Sequence, residues 1–177
     1  MIASSAPPLT ETPASQRLLV SRRRMAMTTV ALLGFSLDWL VKRWVVAHLA
    51  LSESAPLWPG VAQLTYVRNE GMAFSLFDQS PHALMLVGAA FFVLFLMLGF
   101  SQCAAGRGLS IAYGLILGGA LGNLVDRFIS GSVADYVELT FIRYPVFNLA
   151  DTLICVGVAT ALFFCLRTPQ APCRPAS

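Results

Sequence analysis

The stretch GLSIAYGLILGGALGNLV, Gly108 to Val125, decides the fold. It runs its whole length without a charge and sets Gly114, Gly118 and Gly122 four apart, the small-xxx-small spacing that lets helices approach closely in lipid. At about 1.5 Å per residue it nearly crosses a ~30 Å hydrocarbon core. It predicts a packed interior membrane helix over about 108–126. Working outward, His82 to Phe100 (HALMLVGAAFFVLFLMLGF) has no formal charge and predicts a helix over about 82–100. The run between Arg143 and Arg167, YPVFNLADTLICVGVATALFFCL, carries only Asp151 and predicts another over about 146–166. Met25 to Val41 carries only Asp38 and predicts a first helix over about 25–47. Basic residues ahead of an apolar stretch also fit a signal peptide, but this stretch is long for one, and Lys42 and Arg43 do not suit the approach to a cleavage site. An uncleaved membrane helix is the expectation.

The whole composition agrees. Of 177 residues, 56% are hydrophobic and 12% charged, against roughly 25% charged in an average soluble domain. A core this small could not hide so much apolar surface, so most of it must face lipid. The net charge of +3 is too small and scattered for a nucleic-acid surface, and no nucleic-acid partner is expected. Cys103, Cys155, Cys165 and Cys173 show neither CxxC spacing nor a nearby His pair, so they read as free thiols and small apolar fillers, with no metal or cofactor expected. His48 and His82 stand alone near segment ends and read as interfacial or packing residues.

Residues 1–21, rich in Pro, Ser, Thr and Ala, read as a disordered cytoplasmic tail, 22–167 as the membrane domain and 168–177 as a second tail. Four spans put both termini on one side. Arg17, Arg22, Arg23, Arg24, Arg107, Arg167 and Arg174 mark that side as cytoplasmic. The expected fold is therefore mainly α, an integral membrane four-helix bundle with a small extracytoplasmic β cradle between helices 1 and 2. There, in Gln63 to Phe77, Leu64, Tyr66 and Val67 followed by Asn69 to Gly71 suggest a strand and turn. Trp39, Trp44 and Trp58 read as interfacial aromatics.

An ionisable side chain within a span costs at least about 2.5–3.5 kcal/mol on insertion scales, so each needs a role. Asp38, Asp126, Asp135 and Asp151 all fall at one depth in this topology, near the outer leaflet. Asn123 precedes Asp126 and Asn148 precedes Asp151 at the same i, i+3 spacing; on a helix each amide would share a face with its acid and orient it. A polar clamp between helices would use one such pair. Two pairs with two further acids resemble a site. Without a Ser, Cys or His nucleophile motif, the chemistry open to clustered acids is that of two carboxyls sharing a proton, one activating water and the other protonating a carbonyl. Spacing leaves open which two of the four do so.

Several motifs then carry a resemblance from about Asp38 to Gly157. Gly118-Gly-Ala-Leu-Gly-Asn-Leu-Val-Asp-Arg127, Gly131-Ser-Val-Ala-Asp135-Tyr and Phe147-Asn-Leu-Ala-Asp-Thr152 resemble lipoprotein signal peptidase (signal peptidase II), a family of bacterial inner-membrane aspartic proteases. Asp38-Trp-Leu-Val-Lys42 and Arg68-Asn-Glu-Gly-Met-Ala-Phe-Ser75 resemble its two N-terminal motifs. The resemblance implies a catalytic dyad of Asp135 and Asp151, surrounded by Asn123, Asp126, Arg127, Asn148 and Ala150 and supported by Asp38 and Lys42. Arg68 and Asn69 match the motif that holds substrate peptide. The implied substrates are prolipoproteins, cut before a lipobox Cys bearing diacylglycerol, with membrane lipid as surroundings and a monomer as the working state. Trp39, Glu70, Met72, Ala134 and Tyr136 depart from the family's usual residues, but none replaces a carboxylate. Taken alone, Arg127 would pair with Asp126 or anchor at headgroups, and Arg68 would be a solvated charge. The rival function is a small proton-coupled transporter using the acids as a relay, which should spread them along the membrane normal.

Overall fold

A computed structural model describes residues 12–71, 81–103 and 106–167, with α2 side chains from residue 85 onward. In chain order come α1 (Pro13–His48), β1 (Ser54–Trp58), β2 (Ala62–Asn69), α2 (Pro81–Gln102), α3 (Arg107–Ser130), β3 (Val133–Leu139) and α4 (Leu149–Arg167). The fold is mainly helical with one small antiparallel sheet in the order β1-β2-β3. Among the described residues, three segments are long and apolar enough to cross a membrane: Met85–Gln102, Arg107–Ser130 and Leu149–Arg167.

The quoted stretch forms the interior element. α3 packs on α1, α2 and α4, and 56% of its span is buried against 6% for α2 and 11% for α4. Its glycines make this fit: a Cβ on Gly118 would stand 2.7 Å from Ala31 O on α1, and one on Gly119 would collide with Ala150 O on α4. Gly131 ends α3 in the left-handed region, φ 73°, donating its N–H to Arg127 O at 3.0 Å.

Three expectations need correction. Residues 13–21, read as tail, are the first turns of α1: Thr12 Oγ1 accepts the Ser15 N–H at 3.3 Å, Pro13 occupies the first turn, and Ala, Gln, Arg and Leu that follow are strong helix formers. At 36 residues α1 is about 54 Å long and extends well beyond a bilayer core. α4 starts at Leu149, not near 146, because Phe147 still pairs with Val137 of β3. And the sheet is not built between α1 and α2 alone, since its third strand comes from the α3–α4 connection, with Val67 opposite Asp135 and Asn69 opposite Val133. Residues 1–11, 168–177 with Cys173, and Met72 to Ser75 of the outer motif lie outside the described residues, as does the side chain of His82.

The strand read around Leu64, Tyr66 and Val67 is β2, and its following turn closes with the Gly71 N–H donated to Asn69 Oδ1 at 3.1 Å. Tyr66 and Tyr136 from the sheet pack with Val45 of α1 into one buried cluster. A second, of Met27, Cys103, Leu109, Tyr113, Ile116 and Leu117, fills the other end of the helices. His48 stacks on Trp44, ring centroids 4.7 Å apart, a packing role.

Candidate active site

Construction starts at the N-terminus of α4, where the first amides of any helix lack intrahelical partners. Each receives a side-chain acceptor from a different element. Leu149 N–H donates to Tyr136 Oη of β3 at 3.1 Å, Ala150 N–H to Asp38 Oδ1 of α1 at 2.9 Å, and Asp151 N–H to Asn148 Oδ1 at 2.9 Å. Asp151 Oδ2 accepts the Asn148 N–H in return at 3.2 Å. Asn148 and Asp151 thus form a capping box, with Asn148 ahead of the helix instead of on its face. Ala150 contributes through its backbone and through its fit against the α3 glycines.

Asn148 also bridges the acids. Its side chain is fully buried and its Nδ2 donates to Asp135 Oδ1 at 2.6 Å and to Asn123 Oδ1 at 3.1 Å. Asn69 Nδ2 donates to the other Asp135 oxygen at 2.8 Å, and Asn123 Nδ2 donates to Asp151 Oδ1 at 2.8 Å. The two carboxyls, one from the sheet and one from α4, are therefore held by three asparagines between them, Asn69 on Asp135, Asn123 on Asp151 and Asn148 on both. Asn123 does not orient Asp126, as i, i+3 spacing suggests; it turns across to α4.

The other two acids share a cation. Lys42 Nζ lies 2.8 Å from Asp38 Oδ2 and 2.9 Å from Asp126 Oδ2, and donates to Asn123 Oδ1 at 2.8 Å. The ammonium is thus ion-paired with two carboxylates from two helices and hydrogen-bonded to one amide. Among the described residues no ion pair involves Asp135 or Asp151. Four acids thus divide into two that are charge-compensated and two that are held by amides.

Burial pushes the Asp135 carboxyl up to about 6 from its ordinary 3.8, and the neighbouring Asp151 charge pushes the same way, against the Asn69 and Asn148 amides and the Lys42 ammonium. Burial likewise raises the Tyr136 phenol, so its oxygen stays a neutral acceptor toward Leu149.

Arg127 makes no ion pair with Asp126. Its Nη2 donates to Gly71 O at 3.3 Å and its Nη1 to Asn123 O at 3.4 Å, linking the turn after β2 to α3. Arg68 is not brought to the acids: alternation along β2 sends Asn69 inward and leaves Arg68 Nε donating to Tyr66 Oη at 3.2 Å. It lines a small cavity of about 130 Å³ with Trp39, Lys42, Tyr66, Asp126 and Ala134, a cavity that neither Asp135 nor Asp151 lines. In the sequence Tyr136 stands out only as a departure flanking Asp135. Its link to Leu149 has no sequence signal beyond the period-2 alternation of β3.

Residues 30–167 match the family model described as Signal peptidase (SPase) II. The chain belongs to the signal peptidase II family. Family membership makes it a membrane aspartic protease, and the transporter reading finds no support. It is 43% identical over 150 residues to the lipoprotein signal peptidase of Gloeobacter violaceus, covering 83% of this chain and 87% of that one. To that of Yersinia enterocolitica it is 42% identical over 142 residues, 76% and 82% of the respective chains. A bacterial membrane enzyme solved by the in meso method at 2.3 Å resolution superposes with a TM-score of 0.76 at 20% identity, over 85% of this chain and 93% of that one, which speaks for the fold.

Proposed function

We propose that this chain hydrolyses the peptide bond just before the diacylglyceryl-modified lipobox Cys of prolipoproteins, with Asp135 and Asp151 as its catalytic dyad. The observation that carries the assignment is Asn148, whose side-chain amide holds Asp135 Oδ1 at 2.6 Å while its main-chain N–H holds Asp151 Oδ2 at 3.2 Å. Two carboxyls held by one buried residue stand on either side of it, a placement that suits acids working as a pair.

Asp135, with its raised pKa, is the proton-bearing partner, and Asp151 is the base, its carboxylate facing two N–H donors at the positive end of α4. Asp151 takes a proton from water as the oxygen attacks the scissile carbonyl carbon, and Asp135 gives its proton to the carbonyl oxygen. The tetrahedral intermediate collapses as Asp151 returns its proton to the leaving nitrogen and Asp135 recovers one from the gem-diol. The products are a signal peptide carboxylate and a lipid-bearing Cys with a free amine. Asn123, Asn148 and Asn69 orient the dyad, while Asp38, Lys42 and Asp126 fix Asn123 and the start of α4. Arg127 holds the turn at Gly71, and Arg68 and Asn69 border the path of the peptide.

In this reading all four helices span the cytoplasmic membrane, both termini are cytoplasmic, the sheet lies outside, and a monomer works at the outer leaflet, where a diacylglycerol tether presents its peptide. The test is a cleavage assay on purified protein given a lipidated preprotein. Asp135→Asn and Asp151→Asn should each abolish release of the signal peptide while keeping a cooperative melt; cleavage retained in both overturns the dyad.

A further inference from the structure

Directly opposed residues of neighbouring strands project to the same face of a sheet, so register alone decides which residues of β2 face Asp135. At one end β2 and β3 are matched as Ala62 with Leu139, Gln63 with Glu138 and Leu64 with Val137. Nearer the acids the match is Val67 with Asp135, Arg68 with Ala134 and Asn69 with Val133. Between the two runs β2 carries one extra residue, so that Thr65 and Tyr66 stand opposite Tyr136 alone in a β-bulge. Each step forward in β2 is a step back in β3; continued without the bulge, the first run would set Tyr66 opposite Asp135 and Arg68 opposite Val133. Arg68 would then share the face of Asp135. Asn69, which donates to Asp135 Oδ2 at 2.8 Å, would point the other way.

A regular strand sends consecutive residues to opposite faces, and two attachments keep Thr65 and Tyr66 on one. Thr65 Oγ1 donates to Glu138 Oε2 at 2.5 Å and lies 2.9 Å from Ser54 Oγ, which fixes the first run. The Tyr66 ring is 6% exposed and packs with Tyr136 and with Val45 of α1, which fixes the second. The Tyr66 N–H donates to Glu53 O at 3.1 Å and its carbonyl accepts the Ser52 N–H at 2.8 Å, with Ser52 in the left-handed region at φ 66°, an unfavourable conformation for a residue with a Cβ. Burial of the ring offsets that strain and the interrupted ladder. Regularising β2 by moving its second run would pull the ring off α1 and set it beside Asp135. We propose that Tyr66 is a positioning residue for the dyad, its buried ring holding the bulge that turns Asn69, and not Arg68, toward Asp135. This role rests on the dyad reading only where activity is measured.

The test pairs preprotein cleavage with cross-linking in the full chain. Tyr66→Ala removes the anchor and brings Arg68 to the face of Asp135, where a guanidinium favours the ionised carboxyl. The alkaline limb of kcat/KM should move to lower pH, the reverse of what loss of the Asn69 amide does, and kcat should fall on the order of ten- to a hundredfold. Adding Arg68→Gln should cancel the downward shift, and Tyr66→Phe, which keeps the ring, should restore the wild-type limb. Glu138→Ala frees only the first run and should leave the limb in place. Where Tyr66→Ala does not fold, Tyr66→Thr, a strand former without the ring, should give the same directions. Register is read without activity. Arg68→Cys with Ala134→Cys should oxidise to a disulfide in the otherwise wild-type chain, and Val67→Cys with Ala134→Cys only when Tyr66→Ala is added. A limb that stays put or moves up in Tyr66→Ala, or a cross-link between positions 67 and 134 that never forms, overturns the role of Tyr66. Cross-links as expected with no cleavage by the wild type would support the bulge and overturn the protease reading.

Discussion

Lys42→Met is the substitution whose consequence the structure fixes most narrowly. Lys42 is 3% exposed, and its ammonium is ion-paired with Asp38 Oδ2 and Asp126 Oδ2 and donates to Asn123 Oδ1, all within 2.9 Å. Methionine keeps most of the volume and removes the charge. Asp38, fully buried, is left with only the Ala150 amide, so an uncompensated carboxylate remains in the interior. Breaking a buried pair in this way costs about 3–5 kcal/mol, a large share of the ~5–15 kcal/mol that holds a domain folded. Adding Asp38→Asn removes the stranded charge while leaving an acceptor for Ala150 N–H, and the pair of changes should recover about 1–3 kcal/mol by coupling. Activity should not recover with it. Lys42 anchors the Asn123 carbonyl and so aims its Nδ2 at Asp151; without it kcat should fall on the order of tenfold in both variants. The loss is limited because Asn148 Nδ2 still donates to Asn123 Oδ1 at 3.1 Å. Denaturation in detergent and a preprotein cleavage assay read the two effects. A single variant that loses under about 1 kcal/mol, or strictly additive changes in the double, would refute the shared-cation account.

Other consequences are simpler. Asn69 donates to ionised Asp135, so Asn69→Ala should raise that carboxyl above about 6 and carry the alkaline limb of kcat/KM to higher pH; a limb that stays put or moves down contradicts the assignment. Because folded Asp135 binds its proton more tightly than the unfolded chain does, stability should fall as pH rises from about 4 to about 6, on the order of 3 kcal/mol in total. Asp135→Asn should flatten that segment of a melting-temperature profile. Gly119→Ala drives a Cβ into Ala150 O and should cost about 1–3 kcal/mol by parting α3 from α4, with activity lost as Asn123 and Asp151 separate. Tyr136→Phe leaves the part-buried Leu149 amide without its acceptor, a loss of about 0.5–1.5 kcal/mol in chemical denaturation, while cleavage stays within a fewfold of wild type.

The sequence carried the helices well, because a long uncharged run such as Gly108 to Val125 has few alternatives, and it carried the glycine stripe of α3 for the same reason. It carried β2 through Leu64, Tyr66 and Val67. It did not carry β3, where Val133, Asp135 and Val137 alternate with Ala134, Tyr136 and Glu138 but a buried acid interrupts the apolar face. The two asparagine pairs show where local spacing stops being informative. The i, i+3 separation placed Asn148 near Asp151 correctly, yet as a cap, since a β-bridge at Phe147 delays the helix. The same spacing misplaced Asn123, whose partners are on α1 and α4 and depend on how the helices pack.

Spacing could not divide four acids into working and supporting pairs, and only the resemblance named two of them. We propose a physical ground for that division. An acid in contact with a buried ammonium is committed, because its oxygen is held by the lysine. Lys42 commits Asp38 and Asp126 in this way, one from its own helix and one from α3. Asparagine N–H groups restrain Asp135 and Asp151 with no cation in contact, a weaker hold on the ionised form than an ammonium exerts. A pair proposed to trade one proton during turnover needs to be free of a fixed counter-ion, and a single lysine placed one helical turn from Asp38 leaves two acids so by occupying the other two.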